Sequence, residues 1–353
     1  MSDLPLLIKR LRSGLDLPEQ DCMAAATDLT HPDVDPQLKK AFLEALHSKG
    51  ESVEEVTAFA RVFRTLASDP QLSDIAPEAI DIVGTGGTGV HGFNISSVTA
   101  FIVAAAGVKV LKHGNRAVTS PSGSADFLAE YGIRMDNDPA ALREAIEELG
   151  FCFFFAPAFH PAYKEIIPVR KALAAEGKRT LFNSLGPLIN PAKPAYQLLG
   201  VFSPVWARQL GNALHALGLK GGIAVSCELS SGVYMDEFTT AGANHVTGFG
   251  ELVSLESPWE PASLGFPPCS AEDLAGGNAT ENVALLEAIL RGRGSPGLVD
   301  TLVLNAAAAF LIVHRVGSLD EGCALARETL LGGTLRNWLH RAQAFYRESK
   351  PKQ

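Results

Sequence analysis

The stretch from Asp81 to Asp126 constrains this chain more than any other part of it. It begins with a short apolar run, Ile80–Val83, that stops abruptly at glycine, the pattern of a buried strand entering a turn. Gly84, Gly86, Gly87 and Gly89 follow closely, leaving the backbone free to take positive φ and to approach a ligand. Asn94, Ser96 and Ser97 are helix-capping types, and they open a helix-prone run to Ala106 that Gly107 closes. Strand, glycine loop, polar cap and helix, in that order, aim free N–H groups and a positive dipole end at an anion. Loop glycines alone fit a plain tight turn equally well.

The second half of the stretch tips the balance. Val108–Leu111 reads as another short strand, with Lys112-His113-Gly114-Asn115-Arg116 at its end. Ligands of α/β folds lie at the carboxyl ends of strands. Two cations, an imidazole and an amide bunched there suit an anionic, partly aromatic substrate. Ser122, Ser124 and Asp126 then open a further helix, ended by Gly132. A solvated loop accounts for any one of these residues, but poorly for two successive strand ends of this chemistry.

Four motifs now stand together: G-T-G-G at Gly84–Gly87, F-N-I-S at Phe93–Ser96, K-H-G-N-R at Lys112–Arg116 and S-G-S-A-D at Ser122–Asp126. In combination they are highly specific, and the chain resembles the anthranilate phosphoribosyltransferases. These enzymes of tryptophan biosynthesis share their fold with pyrimidine nucleoside phosphorylases. The resemblance covers nearly the whole chain, including G-G-N-A-T-E-N at Gly276–Asn282 and N-A-A-A-A at Asn305–Ala309.

The order of elements points to the same architecture. Leu4–Leu11, Pro18–Leu29, Pro36–Leu46 and Val53–Ala67 carry apolar residues at helical spacing, with a capping box at Ser52 and Glu55. From Ile80 onward strand and helix signals alternate, which argues for a largely parallel sheet covered on both faces. Asp138-Pro139 starts a helix that Gly150 ends, and Phe151–Phe155 is the next strand. A helix opened by Ser203-Pro204, a strand at Gly222–Cys227 and apolar helices at Glu281–Leu290 and Leu298–Val313 follow. The fold class is therefore α/β: a small all-helical N-terminal domain plus a large α/β domain with a mainly parallel central sheet, of the nucleoside phosphorylase/phosphoribosyltransferase type. The expected boundaries are 1–72 for the helical domain, joined by helices from about 163–186, then 78–345 for the α/β domain and 346–353 for a frayed tail.

Composition excludes several alternatives. Five scattered cysteines never fall in C-x-x-C spacing, favouring reduced thiols in a cytoplasm over a disulfide frame or zinc site. No apolar stretch reaches membrane length, since Leu302–Val313 is short and interrupted by Asn305. A net charge of −9 argues against broad nucleic-acid binding, so an anionic substrate must meet a local basic pocket.

Two further stretches carry chemistry. His160 follows the strand ending at Phe155, and Arg170 lies in a helix that Pro168 restarts. They read either as a loop histidine and a surface arginine, or as an aromatic-walled pocket with one guanidinium fork for a planar carboxylate. Asp236-Glu237 is either an exposed, idle acid pair or a hard-oxygen site for magnesium.

The resemblance favours the functional reading of both. It implies transfer of a phosphoribosyl group from 5-phosphoribosyl 1-diphosphate to anthranilate, with release of diphosphate. It implies donor binding by Gly84, Thr85, Gly86, Gly87, Asn94, Ser96, Ser97, Lys112 and Ser124. Anthranilate falls to Gly84, His113, Asn115, His160 and Arg170, and Mg2+ to Ser96, Asp236 and Glu237. No residue is assigned as acid or base. A homodimer through the helical domain is implied, with no nucleic-acid or membrane partner. The chain departs from the family at Thr88, where Asp is usual, and at Ser226-Cys227, where a His-Gly pair is usual. The competing readings are a related transferase or phosphorylase with a different aromatic acceptor, and a non-catalytic nucleotide- or nucleic-acid-binding paralogue. The K-H-S-T-G-G loop of the phosphorylases is absent.

Overall fold

The computed structural model describes residues 2–90, 92–117, 120–255 and 258–348, so most of the tail expected at 346–353 lies outside the described residues. Four helices come first: α1 (Leu4–Arg12), α2 (Glu19–Thr30), α3 (Pro36–Lys49) and α4 (Val53–Thr65). Their ends follow local chemistry. Asp35 caps α3 through Gln37 N at 2.9 Å, Gly50 closes it at φ 88°, and Ser52 with Glu55 forms the capping box of α4.

The alternating part follows: β1 (Ile80–Gly84), α5 (Ile95–Ala105), β2 (Val110–Gly114), α6 (Ser124–Glu130), α7 (Pro139–Leu149) and β3 (Phe151–Phe155). Two short turns of helix, α8 (Ala156–Phe159) and α10 (Phe182–Leu185), bracket α9 (Ile167–Ala175). Then come β4 (Tyr196–Gly200), α11 (Pro204–Ala216), β5 (Gly221–Ser230), β6 (Val233–Met235), β7 (Ala243–Gly250), α12 (Ala279–Leu290), α13 (Pro296–Ile312), α14 (Leu319–Leu331) and α15 (Thr334–Glu348).

Strands lie in the order β3-β2-β1-β4-β5-β6, and β7 pairs with β5. β1 to β5 are mutually parallel, while β6 and β7 run antiparallel to β5. The first half of β5 pairs with β4 and its second half with β6, so β6 continues the β4 edge above the strand ends. α5 and α13 are buried on nearly every side, as helices inside a layered α/β body must be. A second core unites the first four helices with Ile166, Val169, Leu173, Phe182 and Leu185, and reaches Leu199 and Ala224 of the sheet.

One difference from the sequence reading bears on the site. β2 spans Val110–Gly114, not Val108–Leu111, so Lys112 and His113 lie within the sheet, opposite Phe153 and Phe154 of β3. Polar residues are tolerated there because backbone carbonyls meet them: Ile82 O accepts from Lys112 Nζ, and Gly186 O lies 3.2 Å from His113 Nδ1.

Candidate active site

Successive side chains of a strand point to opposite faces, and β2 uses this to serve two clusters. Lys112 faces α5 and His113 faces the α8–α10 segment. A single buried carboxylate braces both. Asp81 of β1 accepts from His113 N at 3.2 Å and from Asn190 Nδ2 at 2.9 Å. Burial raises the Asp81 carboxyl to about 6, opposed by the nearby Lys112 charge.

The first cluster gathers at the glycine loop. Gly86 N donates to Asp236 Oδ2 at 2.6 Å, and Ser96 N, in the first turn of α5, donates to Glu237 Oε1 at 3.1 Å. The acid pair is therefore not exposed, and both carboxylates are hydrogen-bonded to backbone. It occupies N–H donors of the very cradle that the strand–loop–helix order marks for an anion. Gly84 and Gly200, register partners at the ends of β1 and β4, lack side chains where Asp236 passes across them. A β-carbon on Gly84 would meet the Asp236 carboxylate, and one on Gly200 its carbonyl oxygen. Burial raises the Glu237 carboxyl to about 8, with the Asp236 charge acting the same way and Lys112 opposing. Burial also raises Asp236.

The assigned donor residues are differently engaged. Lys112 is 1% exposed, and its Nζ donates to Ile82 O and, at 3.4 Å, to Ser96 Oγ. It acts as an internal counter-charge beside Asp81 and Glu237, its own pKa lowered by burial. Thr85 Oγ1 accepts from Phe202 N at 3.2 Å, pinning the loop to the segment after β4. Gly86 and Gly87 take φ of 68° and 76°, which only glycine adopts without strain. Asn94 begins α5, but its side chain makes no cap bond there. Its Oδ1 accepts instead from Asn282 Nδ2 at 2.7 Å and Ser122 Oγ at 3.1 Å. Ser97 is buried in α5. Ser124 Oγ donates to Asn115 O at 3.3 Å, closing the S-G-S-A-D turn on the end of β2.

The second cluster lies on the His113 face. The His113 and His160 rings are 5.1 Å apart, and His160 is 5.8 Å from Tyr163. Phe63 of α4 and Phe182 of α10 enclose Tyr163 at 5.0 and 5.3 Å, and the Arg170 guanidinium lies 5.8 Å from the Phe182 centroid. His113 Nε2, His160 Nε2 and Tyr163 OH are buried without a hydrogen-bond partner. Unpaired buried polar atoms are costly, and three of them gather in this one cluster. Burial holds His113 at about 3 and His160 at about 4, both neutral at pH 7, and it lowers Arg170. Asn115 lies just past β2, exposed, with its Oδ1 on Arg116 N at 2.8 Å.

The structure thus brings Gly84–Gly87, Ser96, Lys112, Asp236 and Glu237 together, and separately His113, His160 and Arg170. Sequence reasoning missed Asp81, Tyr163, Asn190 and Gly200. Tyr163 lies between His160 and Pro168 in the sequence, but nothing local distinguishes its hydroxyl from a packed tyrosine. Of the departures, Cys227 pairs in register with Met235, immediately before the acid pair, and its Sγ lies 2.9 Å from Thr239 Oγ1. Ser226 Oγ is buried without a partner. Thr88 Oγ1 accepts from Val90 N at 3.2 Å within the loop. Among the described residues no cluster of three or more His, Cys, Asp or Glu could hold a metal. Two carboxylates and a serine hydroxyl still suit magnesium, which keeps waters and shares substrate phosphates.

Comparison with known proteins gives a consistent result. Family models described as "Glycosyl transferase family, a/b domain" and "Glycosyl transferase family, helical bundle domain" match residues 76–335 and 5–67. The chain is 40% identical over 326 residues to the anthranilate phosphoribosyltransferase of Deinococcus radiodurans, covering 92% of this chain and 93% of that protein. It is 38% identical to the crystal structure of anthranilate phosphoribosyltransferase from Thermus thermophilus, with a TM-score of 0.84 over 97% of this chain and 99% of that one. The Saccharomyces cerevisiae anthranilate phosphoribosyltransferase, solved in complex with PRPP and Mg, shares the fold at 23% identity, with a TM-score of 0.79 over 98% of each chain.

Proposed function

This chain belongs to the anthranilate phosphoribosyltransferase family, and from that premise we propose that it joins anthranilate to 5-phosphoribosyl 1-diphosphate, releasing diphosphate. One observation carries the reading. An anion cradle at two parallel strand ends adjoins, across one strand, a pocket of unpaired polar atoms and one arginine.

The division of labour follows from the two faces of β2. The N–H groups of the glycine loop and the first turn of α5 that the acid pair leaves open bind the diphosphate end of the donor, with Asn94, Ser97 and Ser124 shaping the cradle. Lys112 holds the acid pair in place from beneath and neutralises part of its charge. Magnesium would be held by Asp236, Glu237 and Ser96. When bound it neutralises charge on the departing diphosphate. On the other face Arg170 meets the anthranilate carboxylate, while His113, His160 and Tyr163 offer polar atoms around the ring, with Asn115 at the pocket edge. The anthranilate amine is neutral at pH 7 and the ribose carbon develops positive charge as diphosphate leaves. The chain's work is therefore positioning and charge stabilisation, without a strong base. The neutral state of both histidines fits that assignment.

The helical unit is the proposed homodimer contact: Leu6 and Leu15 leave apolar surface in solvent on and just after α1, which a second copy would cover. Light scattering of the purified protein reads this directly. No helix among the described residues is long and apolar enough to cross a membrane. Five free thiols support a reducing, cytoplasmic setting.

The test is the loss of anthranilate fluorescence on adding donor and magnesium, with each component omitted in turn. Loss that requires protein, donor and magnesium, all three, supports the reading. Fluorescence that persists with all three present overturns it.

A further inference from the structure

The chain between α9 and α10 turns at Gly177, where φ is 72°. Both neighbours of that glycine are tied back to α3: Glu176 pairs with Lys40, and Lys178 with Glu44 at 2.6 Å. The Arg179 side chain reaches the glycine loop. Its guanidinium carbon lies 4.0 Å from the centroid of the Phe202 ring. Its Nη2 stands 2.9 Å from the point that a β-carbon on Gly87 would occupy. Phe202 is itself fixed to the loop through its N–H and Thr85 Oγ1.

Three neighbouring cations are already committed. Lys112 is spent on Ile82 and Ser96, Arg116 pairs with Asp126 at 2.8 Å, and Lys178 is shared between Glu44 and Glu176. Arg179 makes no ion pair among the described residues and is half-buried. A guanidinium stacked on an aromatic ring keeps its plane fixed and its N–H edge free. Such an edge, without a carboxylate and beside N–H groups that favour an anion, matches phosphate oxygens in bidentate fashion.

We propose that Arg179 is a donor-binding residue, engaging the diphosphate of 5-phosphoribosyl 1-diphosphate above Gly86 and Gly87. This rests on the functional reading given above. It adds a cation that the sequence motifs did not assign, supplied from the chain segment anchored on α3.

The experiment uses the full chain with two substitutions that remove the charge. Arg179→Gln keeps polarity, and Arg179→Met keeps the aliphatic stem over Phe202. Inorganic pyrophosphate is titrated calorimetrically with magnesium present, alongside Michaelis constants for both substrates and a thermal melt. Both variants are expected to weaken pyrophosphate at least tenfold and to raise the donor constant similarly, with the anthranilate constant within twofold. Arg179→Lys is expected to recover part of the loss, because it restores charge but not the planar fork. Wild-type pyrophosphate affinity in whichever charge-removed variant melts normally overturns the proposal, as does a change confined to the anthranilate constant. A wild-type chain that binds pyrophosphate through Arg179 but does not consume anthranilate overturns the functional reading and leaves the anion site standing.

Discussion

The carbonyl oxygen of Asp236 lies where a β-carbon on Gly200 would stand. Gly200 ends β4 and pairs with Gly84 at the end of β1, so two adjacent strands stop at glycine to let one acidic segment cross. Gly200→Ala must push that segment outward. Overpacking of this kind costs roughly 1–3 kcal/mol, and here it also moves Asp236 Oδ2 off Gly86 N. We expect a lower melting temperature together with a higher magnesium requirement. A variant with wild-type melting and magnesium dependence would show that the crossing has no role in holding the acid pair.

The acid pair is held in place at a cost, since burial raises both carboxyls and the Asp236 charge raises that of Glu237 further. Asp236→Asn combined with Glu237→Gln keeps acceptors for Gly86 and Ser96 while removing two desolvated charges. Turnover should collapse, while the ligand-free protein should gain stability, on the order of 1–3 kcal/mol, the penalty scale for poorly compensated buried groups. Kinetics across a magnesium series and thermal melts measure the two effects. A wild-type rate in the double variant would make the pair a bystander.

Arg170 has no carboxylate partner among the described residues and is desolvated beside Phe182 and Tyr163. Arg170→Ala should weaken anthranilate binding, read in its Michaelis constant, by roughly 1.5–3 kcal/mol, the range of a charge-assisted hydrogen bond. The donor constant should hold. An unchanged anthranilate constant removes Arg170 from the acceptor pocket.

The fold was largely legible because its signals are local. Ser52 with Glu55, Asp138 with Gly150, and the run Phe151–Phe155 each mark an element end by capping chemistry or by an apolar run, and the structure keeps them. What was lost is what sequence spacing cannot carry. Lys112 and His113 look like loop residues until Asp81, Ile82 O and Gly186 O are brought to them from distant segments. The antiparallel β6 is only three residues long, and β7 (Ala243–Gly250) is interrupted by Asn244, His245 and Gly248, so neither shows a clear strand signal. The acid pair was found by its residue type, but its placement on Gly86 N and Ser96 N depends on Gly84 and Gly200, which meet only across a parallel pairing.

His160 ties the acceptor pocket to acid stability. Burial lowers it from 6.5 to about 4, so it is neutral in the folded protein and gains a proton more readily in the unfolded chain. A group with a depressed folded pKa contributes stability that is complete above about pH 6.5 and is lost as pH falls toward 4. That shift corresponds to roughly 3 kcal/mol. His160→Gln cannot titrate, so its stability should fall less than that of the wild type across this window. Denaturant midpoints from pH 7 to pH 4 measure the difference. Parallel acid profiles for the two proteins would contradict the burial of a neutral imidazole.

Thr88 sits one residue beyond Gly87, on the loop that Arg179 overhangs. An aspartate there would bring a negative charge near the donor diphosphate. Two like charges about 4 Å apart cost on the order of 1 kcal/mol in water and several times more in a partly dry cleft. A bridging cation removes that cost, and threonine removes both the repulsion and a candidate metal ligand. The wild-type chain should therefore depend on magnesium chiefly through Asp236 and Glu237. Thr88→Asp should raise the donor constant at low magnesium, lose that effect as magnesium rises, and leave the anthranilate constant nearly unchanged. Steady-state kinetics for both substrates over a magnesium series provide the measurement. If the anthranilate constant alone responds, the glycine loop lines the acceptor pocket, and the division of the site across the two faces of β2 is wrong.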